Sequence, residues 1–280
     1  FSPERLRRVS ALLQDYIRRG DVTGISAIIA RTGTTAYYET LGWLDREADI
    51  PMRDDAVFMI QSLTKPVTAV AAMTLYEEGK FDLNTPIARY LPAFRDTKVW
   101  RAGTVEAPEL EPLVEPLRMW HLFTHTSGLT YGFMRTHPVD ALYREAGFDF
   151  GMPDGVDLEG MCDRIAELPL LFQPGTEWNY SVGFDIIGRV LEVVSGQSLD
   201  ELLRTRLLEP LAHGVALHRH AQHIAAIEEQ IQHEQISRPD RPCSKILDTG
   251  AYADKGVITL EHRNKVHPEQ HAVVPRTQHR

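Results

Sequence analysis

In Met59-Ile-Gln-Ser-Leu-Thr-Lys-Pro-Val, Ser62 stands three residues before Lys65, and Pro66 follows directly. Residues i and i+3 share one face of a helix, so the hydroxyl and the amine can touch. A serine becomes a useful nucleophile when a neighbouring base takes its proton, and a lysine amine held in a desolvated pocket can act as that base. Amides and dipole at a helix N-terminus favour the anion that develops in acyl transfer. Proline lacks the amide donor and is tolerated in the first turn, so Pro66 predicts a helix starting at about Ser62.

Alone, Ser-x-x-Lys occurs by chance in many chains, and a simple N-cap serine is by several to one the commoner meaning of it. A second run changes the balance. In Pro174-Gly-Thr-Glu-Trp-Asn-Tyr-Ser-Val-Gly, Tyr180 follows a Pro-Gly turn and precedes an apolar helix, the setting of a loop tyrosine able to shuttle a proton. A half-buried packing tyrosine is the commoner fate of that residue type, but the two motifs together point to nucleophilic catalysis.

The elements that must carry these residues follow from periodicity and punctuation. Ser2-Pro3 caps an opening amphipathic helix that runs to Gly20. Residues 23–30 and 35–43 read as strands joined by a glycine-containing hairpin turn. Residues 65–79 form an apolar helix, 104–116 a proline-rich connector, and 158–168 and 183–209 further helices, the last broken at Ser195-Gly196.

Of the 280 residues, 43% are hydrophobic, as in a globular protein able to bury a substantial core. A formal net charge of −9 argues against a nucleic-acid partner. No run of about 18 apolar residues predicts a membrane span, and no signal segment stands at the start. The chain opens on Phe1, so the compartment stays open between cytoplasm and, with an upstream signal, periplasm. Cys162 and Cys243 lack metal-type spacing and read as free thiols.

Near residue 212 the composition breaks. One aromatic of 23, Tyr252, lies beyond it, with nine of the 12 histidines, and the charge changes from −10 over 1–211 to +1 over 212–280. Two regions are therefore expected: a hydrolase-like region at 1–211, and an atypical His-rich segment at 212–280.

The runs 58–94, 121–133, 172–199 and 207–211 resemble, in order, the serine β-lactamase and penicillin-binding-protein superfamily, most closely the class C-like family VIII carboxylesterases. The resemblance covers about residues 1–211. It implies an α/β (α+β), β-lactamase-like fold: an antiparallel sheet flanked by helices, plus a mainly helical domain. It further implies that Ser62 is acylated, that Lys65 accepts its proton and that Tyr180 is the second base, returning a proton to the leaving group. Small esters, β-lactams or D-alanyl peptides are the implied substrates, and no cofactor or metal is implied. His125 and Ser127, in the His-Thr-Ser-Gly-Leu loop at 125–129, receive no chemistry. No Gly-x-Ser-x-Gly elbow occurs, which argues against an α/β-hydrolase.

Two departures stand out. Val182 replaces the asparagine of the Tyr-x-Asn motif in class C lactamases, which favours an esterase. The superfamily's third motif, Lys-Thr-Gly or His/Trp-x-Gly on a late strand, has only weak counterparts at 248–250 and 254–256. That strand supplies an oxyanion-hole amide, whose loss costs about 3 kcal/mol of transition-state stabilisation. Segments 255–263 and 271–276 are the candidate C-terminal strands, and residues 212–280 read as the product of a shifted frame or rearrangement. Two rival readings follow. His-x-His-x-x-His at 218–223 could hold zinc, although a histidine-rich tail accounts for it better. An inactive fragment of this fold could bind an acyl or peptide ligand. Oligomeric state is not legible.

Overall fold

The computed structural model describes residues 1–149, 151–153 and 155–211, and the backbone of 257–259. The His motif at 218–223, both third-motif candidates and the 271–276 strand lie outside the described residues. Two compact units are present, one with residues 1–59 and 257–259, the other with 60–211 among those described.

The first unit opens with α1 (Pro3–Arg19), where the Ser2 hydroxyl accepts from the Arg5 amide and Gly20 closes the helix at φ 77°. Strands β1 (Gly24–Arg31) and β2 (Thr34–Asp45) form the expected hairpin, pairing from Gly24↔Gly42 to Arg31↔Thr34. Thr32 and Gly33 both have positive φ, as a two-residue hairpin turn requires. Strand β3 (Ile50–Pro51) extends this antiparallel sheet in the order β1-β2-β3. A separate two-stranded sheet pairs β4 (Val57–Met59) with β7 (Val257–Thr259). Of the candidate strand at 255–263, the described residues 257–259 pair in parallel rather than antiparallel; the long intervening chain makes a parallel partner possible.

The second unit is mainly helical. A 3₁₀ turn at Gln61–Leu63 leads into α2 (Thr64–Glu77), followed by α3 (Met119–Phe123), α4 (Pro138–Glu145), α5 (Leu158–Ala166), α6 (Gly183–Ser195) and α7 (Leu199–Leu203). Leu75, Met119, Leu122, Leu129, Ile165 and Ile186 are among its fully buried core residues. The connector expected at 104–116 is instead part of a hairpin, β5 (Lys98–Gly103) with β6 (Pro108–Pro112). Prolines at the two ends of β6 hid it, and they are tolerated because strand ends need not donate to the ladder. The hairpin is tied to the core through Trp100 N to Leu170 O (2.8 Å) and Leu170 N to Lys98 O (2.9 Å).

Candidate active site

Ser62 lies in the 3₁₀ turn, so regular α-helix begins two residues later than the proline argument placed it. Gln61, directly before it, sits at φ 48°. Left-handed backbone costs a residue with a β-carbon about 1–2 kcal/mol, and such strain clusters where function demands a geometry. Lys65 occupies the second position of α2, and Pro66 the third, where no intrahelical donor is missed.

All three expected site residues meet. Lys65 Nζ donates to Ser62 Oγ at 3.3 Å, and the Tyr180 hydroxyl donates to the same oxygen at 2.5 Å across 118 positions of sequence. Lys65 Nζ also lies 4.8 Å from the Tyr180 ring centroid and 5.6 Å from that of Tyr131. Ser62 is exposed, while Lys65, Tyr131 and Tyr180 are half-buried.

A backbone seam holds Tyr180 there. The 125–129 loop is laced to the 171–180 run by Leu171 N to Gly128 O (2.7 Å), Gly175 N to Thr126 O (2.8 Å) and Asn179 N to His125 O (2.9 Å). The Asn179 side chain adds a bond to Leu129 O at 3.0 Å. Gly128 has φ 82°, and a β-carbon there would meet Phe172 O at 2.5 Å. Ser127 is fully buried and its hydroxyl accepts from Leu129 N, a structural role for this loop.

Tyr131 and Asp185 join the site without having been singled out from sequence. Tyr131 follows Thr130, whose hydroxyl donates to the buried Asp140; the same carboxylate accepts from the Thr136 and His137 amides. Burial, then Asp185 and Tyr180, push the Tyr131 phenol up. Asp185, in the first turn of α6, is pushed up to about 6 by burial, against the opposing pull of Lys65. A lone acid in the apolar run Gly183-Phe-Asp-Ile-Ile was the available signal for it. Among the described residues no cluster of His, Cys, Asp and Glu could hold a metal, and no helix is long and apolar enough to cross a membrane. Cys162 is a buried free thiol.

A hydroxyl flanked by an amine and a phenol is equipped for acyl transfer. The β-lactamase family model matches residues 9–262. The chain belongs to the β-lactamase family. This β-lactamase-family chain is 35% identical over 206 residues to Esterase EstB of Burkholderia gladioli, covering 73% of this chain and 49% of that protein. Identity to the Lovastatin esterase of Penicillium rubens is 32% over 162 residues, covering 58% and 39%. Among solved structures, EstCE1, a hydrolase with promiscuous acyltransferase activity, superposes with a TM-score of 0.64 at 30% identity, covering 74% of this chain and 51% of that one. The chain thus spans about half the length of the relatives it matches. Its fold is β-lactamase-like, in a serine hydrolase family with esterase and acyltransferase members.

Proposed function

We propose that the chain is a serine hydrolase that forms an acyl-enzyme on Ser62 with small esters. The observation that carries this reading is the convergence of Lys65 Nζ and Tyr180 OH on Ser62 Oγ, at 3.3 and 2.5 Å. Ser62 Oγ attacks the ester carbonyl carbon and its proton passes to the Lys65–Tyr180 pair. The tetrahedral intermediate collapses, the carbon–alkoxide bond breaks and Tyr180 returns the proton to the departing alcohol. Water, activated by the same pair, then attacks the acyl carbon and frees Ser62. A second alcohol in place of water would make the product a new ester, a step in keeping with the promiscuous acyltransferase activity of EstCE1. Esters are favoured over β-lactams because Val182 offers no side-chain amide where class C lactamases have asparagine.

The test is intact-protein and peptide mass spectrometry after exposure to a fluorophosphonate. A single adduct on the Ser62 peptide is expected; an adduct on Ser127 or Ser181 would refute the assignment. A second reading, acylation without efficient turnover, is favoured by the weak third-motif counterparts in residues 212–280. Under it, p-nitrophenyl butyrate gives a stoichiometric burst and then slow release. A steady rate of about 10 per second or more would exclude it.

A further inference from the structure

His125 touches the proton-transfer site yet takes no part in the acyl transfer described above. Its backbone is left-handed, at φ 56°, a conformation costly for a histidine. Its ring centroid lies 4.9 Å from that of Tyr180, 5.6 Å from Phe184 and 6.1 Å from Trp178, the last edge-on at 77°. Its Nδ1 is 3.3 Å from the hydroxyl of Ser181, the residue after Tyr180, and its carbonyl accepts from the Asn179 amide before it. One residue therefore touches the run 178–184 on both sides of the proposed catalytic phenol, through tilted and edge-on ring contacts, a side-chain bond and a backbone bond.

We propose that His125 is a positioning residue for Tyr180, its imidazole wedging the phenol onto Ser62 while Nδ1 pins Ser181. The inference rests on the proposed role of Tyr180 in proton transfer and deepens it. Three features separate a wedge from ordinary packing. The ring is half-buried beside the reacting groups rather than sealed in the core. The strained backbone directs it there. Burial, and then the nearby Lys65, hold its pKa below the ordinary 6.5, so the imidazole is neutral at pH 7 and adds no second cation beside the lysine. Of the two titratable groups facing it, Lys65 comes from α2 and Tyr180 from the run before α6. A phenol displaced by an ångström loses proton-transfer geometry, which in such sites costs up to about 100-fold in rate.

The test is the second-order rate of Ser62 phosphonylation at pH 7.5 in the parent, H125A, Y180F and H125A/Y180F, with Tm measured alongside. His125→Ala is expected to slow labelling at least about tenfold in the parent and less than about twofold in the Y180F background, because residues that act as a unit are non-additive. His125→Asn provides the second variant: asparagine tolerates left-handed backbone and can still bond Ser181, yet lacks the ring. It should fold as the parent does and show the same dependence on Tyr180. Equal rates in parent and variants, or equal fold-losses with and without Tyr180, would overturn the inference while leaving Ser62 as nucleophile. A parent chain that labels elsewhere or not at all overturns the Ser62 reading and this inference with it.

Discussion

Acid should loosen the helical unit through His121, a residue with no part in the chemistry. His121 lies on α3, is 3% exposed and accepts the Arg118 amide at 2.9 Å through Nδ1, an arrangement available only to neutral imidazole. Burial, and secondarily the Arg118 cation, lower its pKa from the ordinary 6.5 to about 4. The unfolded chain takes up this proton at about 6.5 and the folded chain does not until about 4, so stability is fully present above pH 6.5 and lost as pH falls across that window. At about 1.4 kcal/mol per pH unit the loss reaches about 2.5 kcal/mol by pH 4.5. With an m-value of about 2 kcal/mol/M, the urea midpoint moves down by about 1 M. His121→Gln removes the titration and provides the control. Urea unfolding of both proteins at pH 7 and 4.5, followed by tryptophan fluorescence, should show a steeper pH dependence in the parent. Parallel pH dependences would refute the reasoning. The consequence reaches the site, because His121 O accepts the Thr126 amide at 2.9 Å and so anchors the loop that holds Tyr180.

Three further outcomes are expected. Lys65→Ala and Tyr180→Phe should each slow phosphonylation of Ser62 by about 100-fold or more and together little further, whereas multiplying losses in the double variant would argue against a shared proton path. Asp185, raised to about 6 by burial, is held ionised at a cost above that pH; Asp185→Asn should therefore raise stability at pH 8 relative to pH 5 by about 1–2 kcal/mol, allowing for screening at a half-buried carboxylate, and chemical denaturation at both values would show it. Gly128→Ala combines left-handed strain with a 2.5 Å approach to Phe172 O, so a loss of about 2–4 kcal/mol should accompany slowed labelling; an unchanged melting temperature would mean the seam yields easily.

The parts of the fold legible in the sequence are those whose causes are local. Ser2, Pro3 and Gly20 mark α1 by cap chemistry, and Thr32-Gly33 marks the hairpin because only a tight turn needs two consecutive positive φ angles. Strand β6 failed that test. Pro108-Glu-Leu-Glu-Pro112 carries no strand signature of its own and becomes a strand because β5 pairs with it and Leu170 fixes β5 from 70 positions away. Parallel β4–β7 pairing is equally non-local. The start of α2 shows a subtler limit, since proline excludes α-helix interior but does not distinguish a 3₁₀ turn from the first α-helical turn before it.

The same division runs through the site. Ser62 and Lys65 were legible because helical spacing alone brings i and i+3 together. Tyr180 became legible when its motif was weighed with theirs. His125, Tyr131 and Asp185 were not, since what makes each of them part of the site is a distance to Tyr180 or Lys65 set by the seam from 125–129 to 171–180. The seam itself is written in backbone bonds, which carry almost no side-chain signature beyond Gly128, where a β-carbon would strike Phe172 O. The proposed nucleophile, the amine and phenol beside it and the residues that hold them all fall between positions 61 and 185, within a single compact unit. Labelling of Ser62 therefore tests the proposed nucleophile of that unit, and the steady-state rate with p-nitrophenyl butyrate tests the separate expectation, drawn from the family resemblance, that efficient turnover also calls for an oxyanion donor from a third motif.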